Sequence, residues 1–404
     1  MKNKDEWLIF VTAGKWQSNC IKKAKEIGLK VLTIDSDKNA EGFQFSDHKI
    51  VSNFDSPELL IDKIKSLKLN YVGVLSICSD AGMLLAALIR EQLVLPGPDF
   101  RLSKILTDKS LQRDLWEKNN IPGPLWKLYY SYESVVKDIA SCQFPLIIKP
   151  VDSSGSRGVK RINSLKDDFK SAIKLAFHMS KSNKILIESF MIGDEYTVEV
   201  FIQNNITNVL AITKKKKIEA TEGTVAFELS TIEESTLFNQ ITNVVSNSFS
   251  AVGYQDGPGH AELIIRNDGS PGMVEIAGRG GGFFVFDRLV PYASDVDVAL
   301  LTILQSVGKD LSDIKINRKS VTLRFIPSKK GIVISINGME DANIIANVEA
   351  GSLVNIGDKV NDALTDGDRL AYIITTGKTT FKALELANMA EKLIKFEIGV
   401  INDN

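Results

Sequence analysis

His260-Ala261-Glu262-Leu263-Ile264-Ile265-Arg266-Asn267-Asp268-Gly269-Ser270-Pro271-Gly272-Met273-Val274-Glu275-Ile276-Ala277-Gly278-Arg279 reads as a β-hairpin turning at Asp268-Gly269. That dipeptide is favoured in two-residue turns, where both central residues take φ > 0. Folding the strands about the turn sets Glu262 opposite Glu275 and His260 opposite Ala277. Side chains alternate between faces, so His260, Glu262, Ile264, Met273, Glu275 and Ala277 are expected on one side. Directly opposed carboxylates repel and weaken a sheet. A divalent cation between them reverses that sign, and proteins commonly hold Mg²⁺ with one or two carboxylates plus substrate phosphates. Arg279 follows, then Gly280-Gly281-Gly282, a run that lets a ligand approach the backbone. The plainer alternative is a solvated edge hairpin with two exposed acids, and Pro271 is a place where the register could bulge.

Working outward, the chain has 404 residues, enough for two or three domains. Its apolar and charged fractions, 44% and 25%, are those of ordinary globular proteins. A net charge of −1 gives no electrostatic case for nucleic acid or an anionic membrane. Cys20, Cys78 and Cys142 fit neither a disulfide framework nor a zinc site, so a reducing cytoplasm is expected. The apolar run Trp7 to Val11 is too short for a signal-peptide core, and no run reaches membrane-spanning length.

Residues 1–97 alternate strands (7–14, 30–34, 71–77) with helices (to 28, about 56–67, about 80–91). That pattern means βαβ units and a parallel, Rossmann-like sheet, with ligands at the strand ends Thr12-Ala13-Gly14-Lys15, Asp35 and Ser79-Asp80. No full G-x-G-x-x-G follows the first strand, so no dinucleotide site is read there. Leu95-Pro96-Gly97-Pro98 marks a boundary, and Asp108 is placed to cap the next helix. A second unit is expected over 98–317, with a small α+β segment over about 124–190 and a central part over about 191–317. Lys214-Lys215-Lys216-Lys217 reads as a solvated loop, with facing an anionic substrate as the alternative. From 318 to 404 short strands alternate with Gly-, Asn- and Asp-rich turns, ending in a helix over about 379–396. This is a β-rich module expected to pack on the central unit.

In chain order the polar features are Lys109, Lys149, the loop Ser153-Ser154-Gly155-Ser156-Arg157-Gly158-Val159, Glu188, Glu195, Glu262, Glu275 and Arg279. A Ser/Gly loop offers backbone N–H groups to phosphate oxygens, and lysines at strand ends add point charges. Together they suggest a nucleoside triphosphate site with Mg²⁺, and no Walker A sequence is present. Over nearly its whole length the chain resembles the ATP-grasp superfamily, with an α/β fold of Rossmann-like N-terminal domain, ATP-grasp α+β fold and C-terminal β-rich module. The resemblance implies that Lys109 and Lys149 contact ATP phosphates, with Lys149 also near the adenine. It makes Glu188-Ser189-Phe190-Met191 the adenine-binding hinge and Glu195 the ribose-binding acid. Glu262 and Glu275 become ligands for Mg²⁺ (or Mn²⁺), and Arg279 the clamp on the substrate carboxylate and its acyl phosphate. Arg279, Lys149 and Glu275 are then the catalytic groups, and Gly280, Gly281 and Gly282 border the substrate.

One departure stands out. The family often has Glu-x-Asn on the second metal strand, and here the sequence is Glu275-Ile276-Ala277. Ala277 has no donor atom, so metal would rest on two glutamates, phosphates and water. His260 is a candidate contact to the substrate or to the metal's ligands. Within the superfamily, Val274 to Gly282 and the C-terminal piece look most like L-amino-acid-ligase-type carboxylate–amine ligases, and Gly331 to Thr376 also resembles biotin carboxylase and phosphoribosylglycinamide ligase tails. The implied activity joins a small carboxylate, activated as an acyl phosphate, to an amine, which an amino acid could supply. A purine-pathway ligase, a bicarbonate-activating carboxylase and a non-catalytic ATP-binding subunit are the alternatives. The resemblance is compatible with a homodimer, and leaves the acid and the acceptor open.

Overall fold

The computed structural model describes residues 5–218, 221 and 225–400. The N-terminal unit contains β1 (Trp7–Val11), β2 (Lys30–Asp35), β3 (His48–Val51) and β4 (Tyr71–Leu75), a parallel sheet in the order β3-β2-β1-β4. In β1, Leu8 to Val11 are all fully buried, as expected of a parallel strand covered on both faces. Ile9 and Val11 pack with Leu60, Ile64, Leu85 and Ile89. Leu8 and Phe10 join a cluster with Phe286, Leu289 and Val321 from later in the chain. One strand's alternation thus ties this unit to the rest of the molecule.

A second small sheet contains β5 (Trp126–Tyr129), β6 (Leu146–Pro150), β7 (Lys160–Ile162) and β8 (Ile185–Ser189), antiparallel in the order β5-β8-β6-β7. The Phe169–Met179 helix covers β6 through Ala172, Ile173 and Ala176.

The central unit follows with β9 (Gly193–Gln203), β10 (Ile206–Lys217), β11 (Ala226–Thr231), β12 (Gly257–Arg266) and β13 (Pro271–Ala277). The C-terminal stretch adds β14 (Ser320–Pro327), β15 (Gly331–Asn337), β16 (Val348–Ser352), β17 (Lys359–Val360), β18 (Arg369–Gly377) and β19 (Lys395–Gly399). An eight-stranded sheet runs β13-β12-β9-β10-β11-β14-β18-β16, so β14 pairs with β11 across residue 318 and the sheet is continuous there. The remaining strands form a small sheet, β17-β15-β19.

Several expectations are corrected. The hairpin turn has three residues, not two. Arg266 N donates to Ser270 O (2.9 Å), Gly269 N donates to Arg266 O (2.8 Å), and of the turn residues only Gly269 has positive φ (81°). This shifts the register by one, pairing Leu263 with Met273, so Met273 lies in the core rather than beside the glutamates. A bulge at Val274 then restores the pairing of Glu262 with Glu275 and His260 with Ala277. Lys214 to Lys217 end strand β10 instead of forming a loop. The last helix stops at Leu393, and the chain continues into β19. No helix among the described residues is long and apolar enough to cross a membrane.

Candidate active site

Strand pairing assembles the centre. In β9 and β12, Glu195 faces Ile264, Thr197 faces Glu262 and Glu199 faces His260. In β12 and β13, Glu262 faces Glu275. Because paired residues share a face, one side of three adjacent strands carries Glu195, Glu199, His260, Glu262 and Glu275.

Cations surround these acids. Lys215 Nζ lies 2.5 Å from Glu262 and 2.9 Å from Glu195, and Lys217 also pairs with Glu195. Lys109, first residue of the Lys109–Lys118 helix, lies 2.9 Å from Glu275 and donates to the carbonyl of Ser153 at 2.8 Å. Asp108 caps that helix through Ser110 N at 3.0 Å. Burial alone would raise the Glu262 pKa, but the Lys215 ammonium and His260 hold it well below the usual carboxylate range. Burial alone would push His260 down, yet the Glu199 carboxylate, 2.5 Å from Nδ1, and Glu262 bring it up to about 9.

Lys149, on β6, is 4% exposed and lies 2.7 Å from Glu188 on β8. Arg113 Nε meets the other Glu188 oxygen at 2.9 Å. The Glu188 side chain is therefore engaged with two cations. Phe190 N donates to Pro145 O at 3.0 Å, the Arg161 guanidinium sits 4.0 Å from the Phe190 ring centroid, and Met191 Sδ lies 3.3 Å from Arg266. In the loop after β6, Gly155, Ser156 and Gly158 have φ of 64°, 58° and 77°. Arg157 donates to Ser154 O at 3.0 Å, and Val159 N donates to Ser156 O at 3.3 Å. Gly155 has open space where a Cβ would be, so its backbone is exposed to an incoming group.

Burial pushes the Lys149 ammonium down, Glu188 opposes this, and the outcome is about 8. Its folded pKa is thus depressed, so its proton costs stability below about 8, and that cost fades as pH rises toward the unfolded value. On the expectation that Lys149 contacts ATP phosphate, phosphate affinity runs the other way. ATP binding is expected to weaken as pH rises through about 8, and Lys149→Met should bind weakly at all pH values and lose this dependence, measured by titration calorimetry from pH 6.5 to 9.5.

Arg279 follows β13, and its Nε lies 2.5 Å from Asp80, the first residue of the Asp80–Leu93 helix at the end of β4. Its Nη1 donates to Gly280 O at 3.2 Å. Burial raises the Asp80 carboxyl, but Arg279 more than offsets it and holds the group below its ordinary value. Gly281 N donates to Glu199 at 3.0 Å, and a Cβ there would sit 2.7 Å from the Glu199 oxygen. A Cβ on Gly280 would lie 1.9 Å from the buried Phe286 ring. Gly280→Ala is therefore expected to destabilise the fold by about 1–3 kcal/mol through overpacking, read by denaturant unfolding. At Gly282 the space is open. Next, Phe283 and Phe284 both take positive φ (52° and 65°), a costly conformation for aromatic residues that clusters at functional sites. Trp16 packs on both, with ring centroids 4.9 Å apart in each case. From the C-terminal stretch, Arg369 pairs with Asp366 at 2.6 Å and stacks 4.7 Å from the Phe283 centroid.

Sequence reasoning missed Glu199, Arg113 and the Asp80 contact. A glutamate within the apolar run Tyr196 to Ile202, on the same alternation as Glu195, was the available signal for Glu199. The donor set suits Mg²⁺ in one respect: two carboxylates meet on paired strands, and each already carries an ammonium partner. Among the described residues no group of three His, Cys, Asp or Glu side chains could hold a metal by itself. Phosphate oxygens and water would have to complete the coordination, as they ordinarily do for Mg²⁺.

Comparison with known proteins gives two family matches: an ATP-grasp domain over residues 142–287 and the L-amino acid ligase C-terminal domain 2 over residues 324–399. A formate-dependent phosphoribosylglycinamide formyltransferase of Prochlorococcus marinus (strain MIT 9515) is 26% identical over 209 residues, 50% of this chain and 52% of that protein. A phosphoribosylamine–glycine ligase of Methanosphaera stadtmanae is 30% identical over 112 residues, 26% of each chain. These alignments span about half, or about a quarter, of the relatives' length. In fold, the chain is similar to the L-amino acid ligase from Bacillus licheniformis, with a TM-score of 0.85 at 19% identity, over 99% of this chain and 100% of that one. It is also similar to phosphoribosylglycinamide synthetase from Anaerococcus prevotii, with a TM-score of 0.76 at 17% identity, over 98% and 100% of the two chains.

Proposed function

As a chain carrying an ATP-grasp domain and an L-amino acid ligase C-terminal domain, this protein is, we propose, an ATP-dependent carboxylate–amine ligase whose carboxylate substrate is an amino acid. The observation that carries the reading is the meeting of Glu262 with Glu275 across one hairpin, with Lys109 and Arg279 beside it. Lys109, Lys149 and the 153–159 loop hold the triphosphate. Glu262 and Glu275 would hold Mg²⁺, which would supply charge neutralisation to the triphosphate. Arg279 orients the substrate carboxylate, whose oxygen attacks the γ-phosphorus, giving acyl phosphate and ADP. An amine then adds to the acyl carbon, phosphate leaves with the C–O bonding pair, and the amine's proton passes to solvent. The chain positions groups and screens charge, so no protein nucleophile is required.

The Asp80 carboxylate beside Arg279 favours an amino acid, since carboxylate and ammonium would each find an opposite charge. Asp80→Asn is expected to raise KM for the amino acid by about 10-fold, the loss of one charged hydrogen bond, and to change the Ki of its deamino analogue less, since the analogue feels only the loosened Arg279. Equal effects on the two would remove the ammonium contact from the account. The free thiols Cys20, Cys78 and Cys142 suit a reducing cytoplasm. The proposal is tested by ADP release with Mg²⁺ across a panel of single acids, each paired with candidate amines. Release that needs both an amino acid and an amine supports it, and release driven by bicarbonate alone contradicts it.

A further inference from the structure

A second cavity, of about 460 Å³, lies between the N-terminal unit and the central unit. Neither Lys109, Lys149, Glu262 nor Glu275 lines it. Its walls include the end of β4, the linker at Pro96 to Asp99, Tyr254 and Gly278, and its size is that of ordinary small-molecule sites. Arg90, from the Asp80–Leu93 helix, also lines it and is 9% exposed.

Five arginines are buried among the described residues. Arg113, Arg279, Arg324 and Arg369 each pair with a carboxylate. Arg90 does not. Its terminal nitrogens donate only to the carbonyls of Pro98 and Val74, both at 3.1 Å, and its Nε has no partner. Buried charges are normally paired, because desolvating a lone ion is costly. Burial pushes the Arg90 guanidinium down, to about 10, which still leaves it cationic at neutral pH. Gly97 packs against the guanidinium, with φ of 121° and a Cβ position only 2.7 Å from Nε, so Nε is closed off and an occupant would meet the terminal nitrogens. Met83, Leu102 and Pro258 give the cavity apolar walls. Asp99 and Asp256 line it too, each accepting a backbone N–H through one oxygen only, from Leu102 and Asn204.

We propose that this cavity binds a small monocarboxylate with an apolar body, its carboxylate on Arg90, at a site separate from the ATP-dependent centre. The occupant would rest on the helix that begins with Asp80 and on Gly278, the neighbour of Arg279, so it touches both elements that make the Asp80–Arg279 contact.

Because Arg279 can also attract carboxylates, the test starts from the full-length Arg279→Ala chain without ATP. Calorimetric titration with 4-methylpentanoate is expected to show one saturable site. Adding Arg90→Gln should weaken it at least about 10-fold, as removal of a charged hydrogen-bond partner does. Leu102→Trp, which fills the cavity and leaves Arg90 in place, should weaken it as much. Absence of saturable binding to the Arg279→Ala chain overturns the proposal, as does full binding by a folded Arg90→Gln chain. If circular dichroism shows Arg90→Gln unfolded, Leu102→Trp decides: lost binding supports the site and retained binding overturns it.

Discussion

Glu275→Gln is expected to lower substrate-dependent ADP release by on the order of 10²-fold or more, the usual loss when a transition-state charge partner is removed. The change is nearly isosteric, so packing around β13 should survive it. Glu275 faces Glu262 across the hairpin, and Lys109 is its only ion-pair partner among the described residues. Converting it to an amide leaves Lys109 with less opposing charge and one carboxylate for the cation. Ala277 cannot compensate, since it offers no donor atom on the same strand face. The mutant should therefore need more Mg²⁺ for half-maximal rate as well as turning over slowly. ADP release measured against Mg²⁺ concentration checks both effects, and an unchanged rate would remove Glu275 from the metal site.

Arg279→Lys should be of similar severity, a loss of about 10²-fold in kcat/KM, although charge is conserved. A guanidinium presents a planar fork that matches a carboxylate, and an ammonium does not. Arg279 is buried and already oriented by Asp80 and the carbonyl of Gly280, so its geometry is set before substrate arrives. A lysine would reach Asp80 but could not hold Asp80, Gly280 and a substrate carboxylate together. Steady-state kinetics should show the loss mainly as a higher KM for the acid, with KM for ATP near its original value. A uniform fall in ATP affinity would instead place Arg279 among the phosphate contacts.

The opposition of Glu262 and Glu275 was legible in the sequence, but through two deviations that cancel. The turn takes three residues, which displaces the register by one, and the bulge at Val274 displaces it back. Turn dipeptides and alternation carry no signal for such a bulge, so Met273 was assigned to the wrong face. The N-terminal parallel sheet was legible because strands such as Leu8 to Val11 are apolar throughout and are separated by helical stretches. The lysine run was misread for a definable reason. Charge runs are solvated unless neighbouring strands supply acids, and here Asp194, Glu195, Glu228 and Glu262 supply them from elsewhere in the chain. Arg113 with Glu188 and Asp80 with Arg279 are contacts of the same kind, set by tertiary packing and invisible to local pattern. The joining of β14 to β11 is likewise a long-range pairing, across a point where the sequence texture changes.

The most direct test of the acyl phosphate at the centre of this account is isotope transfer. With the amino acid labelled by ¹⁸O in its carboxylate, Mg²⁺, ATP and the amine, the released phosphate should carry one ¹⁸O per turnover. Phosphate free of the label, with the peptide or amide product still formed, would contradict carboxylate attack on the γ-phosphorus and the roles given to Glu262, Glu275 and Arg279.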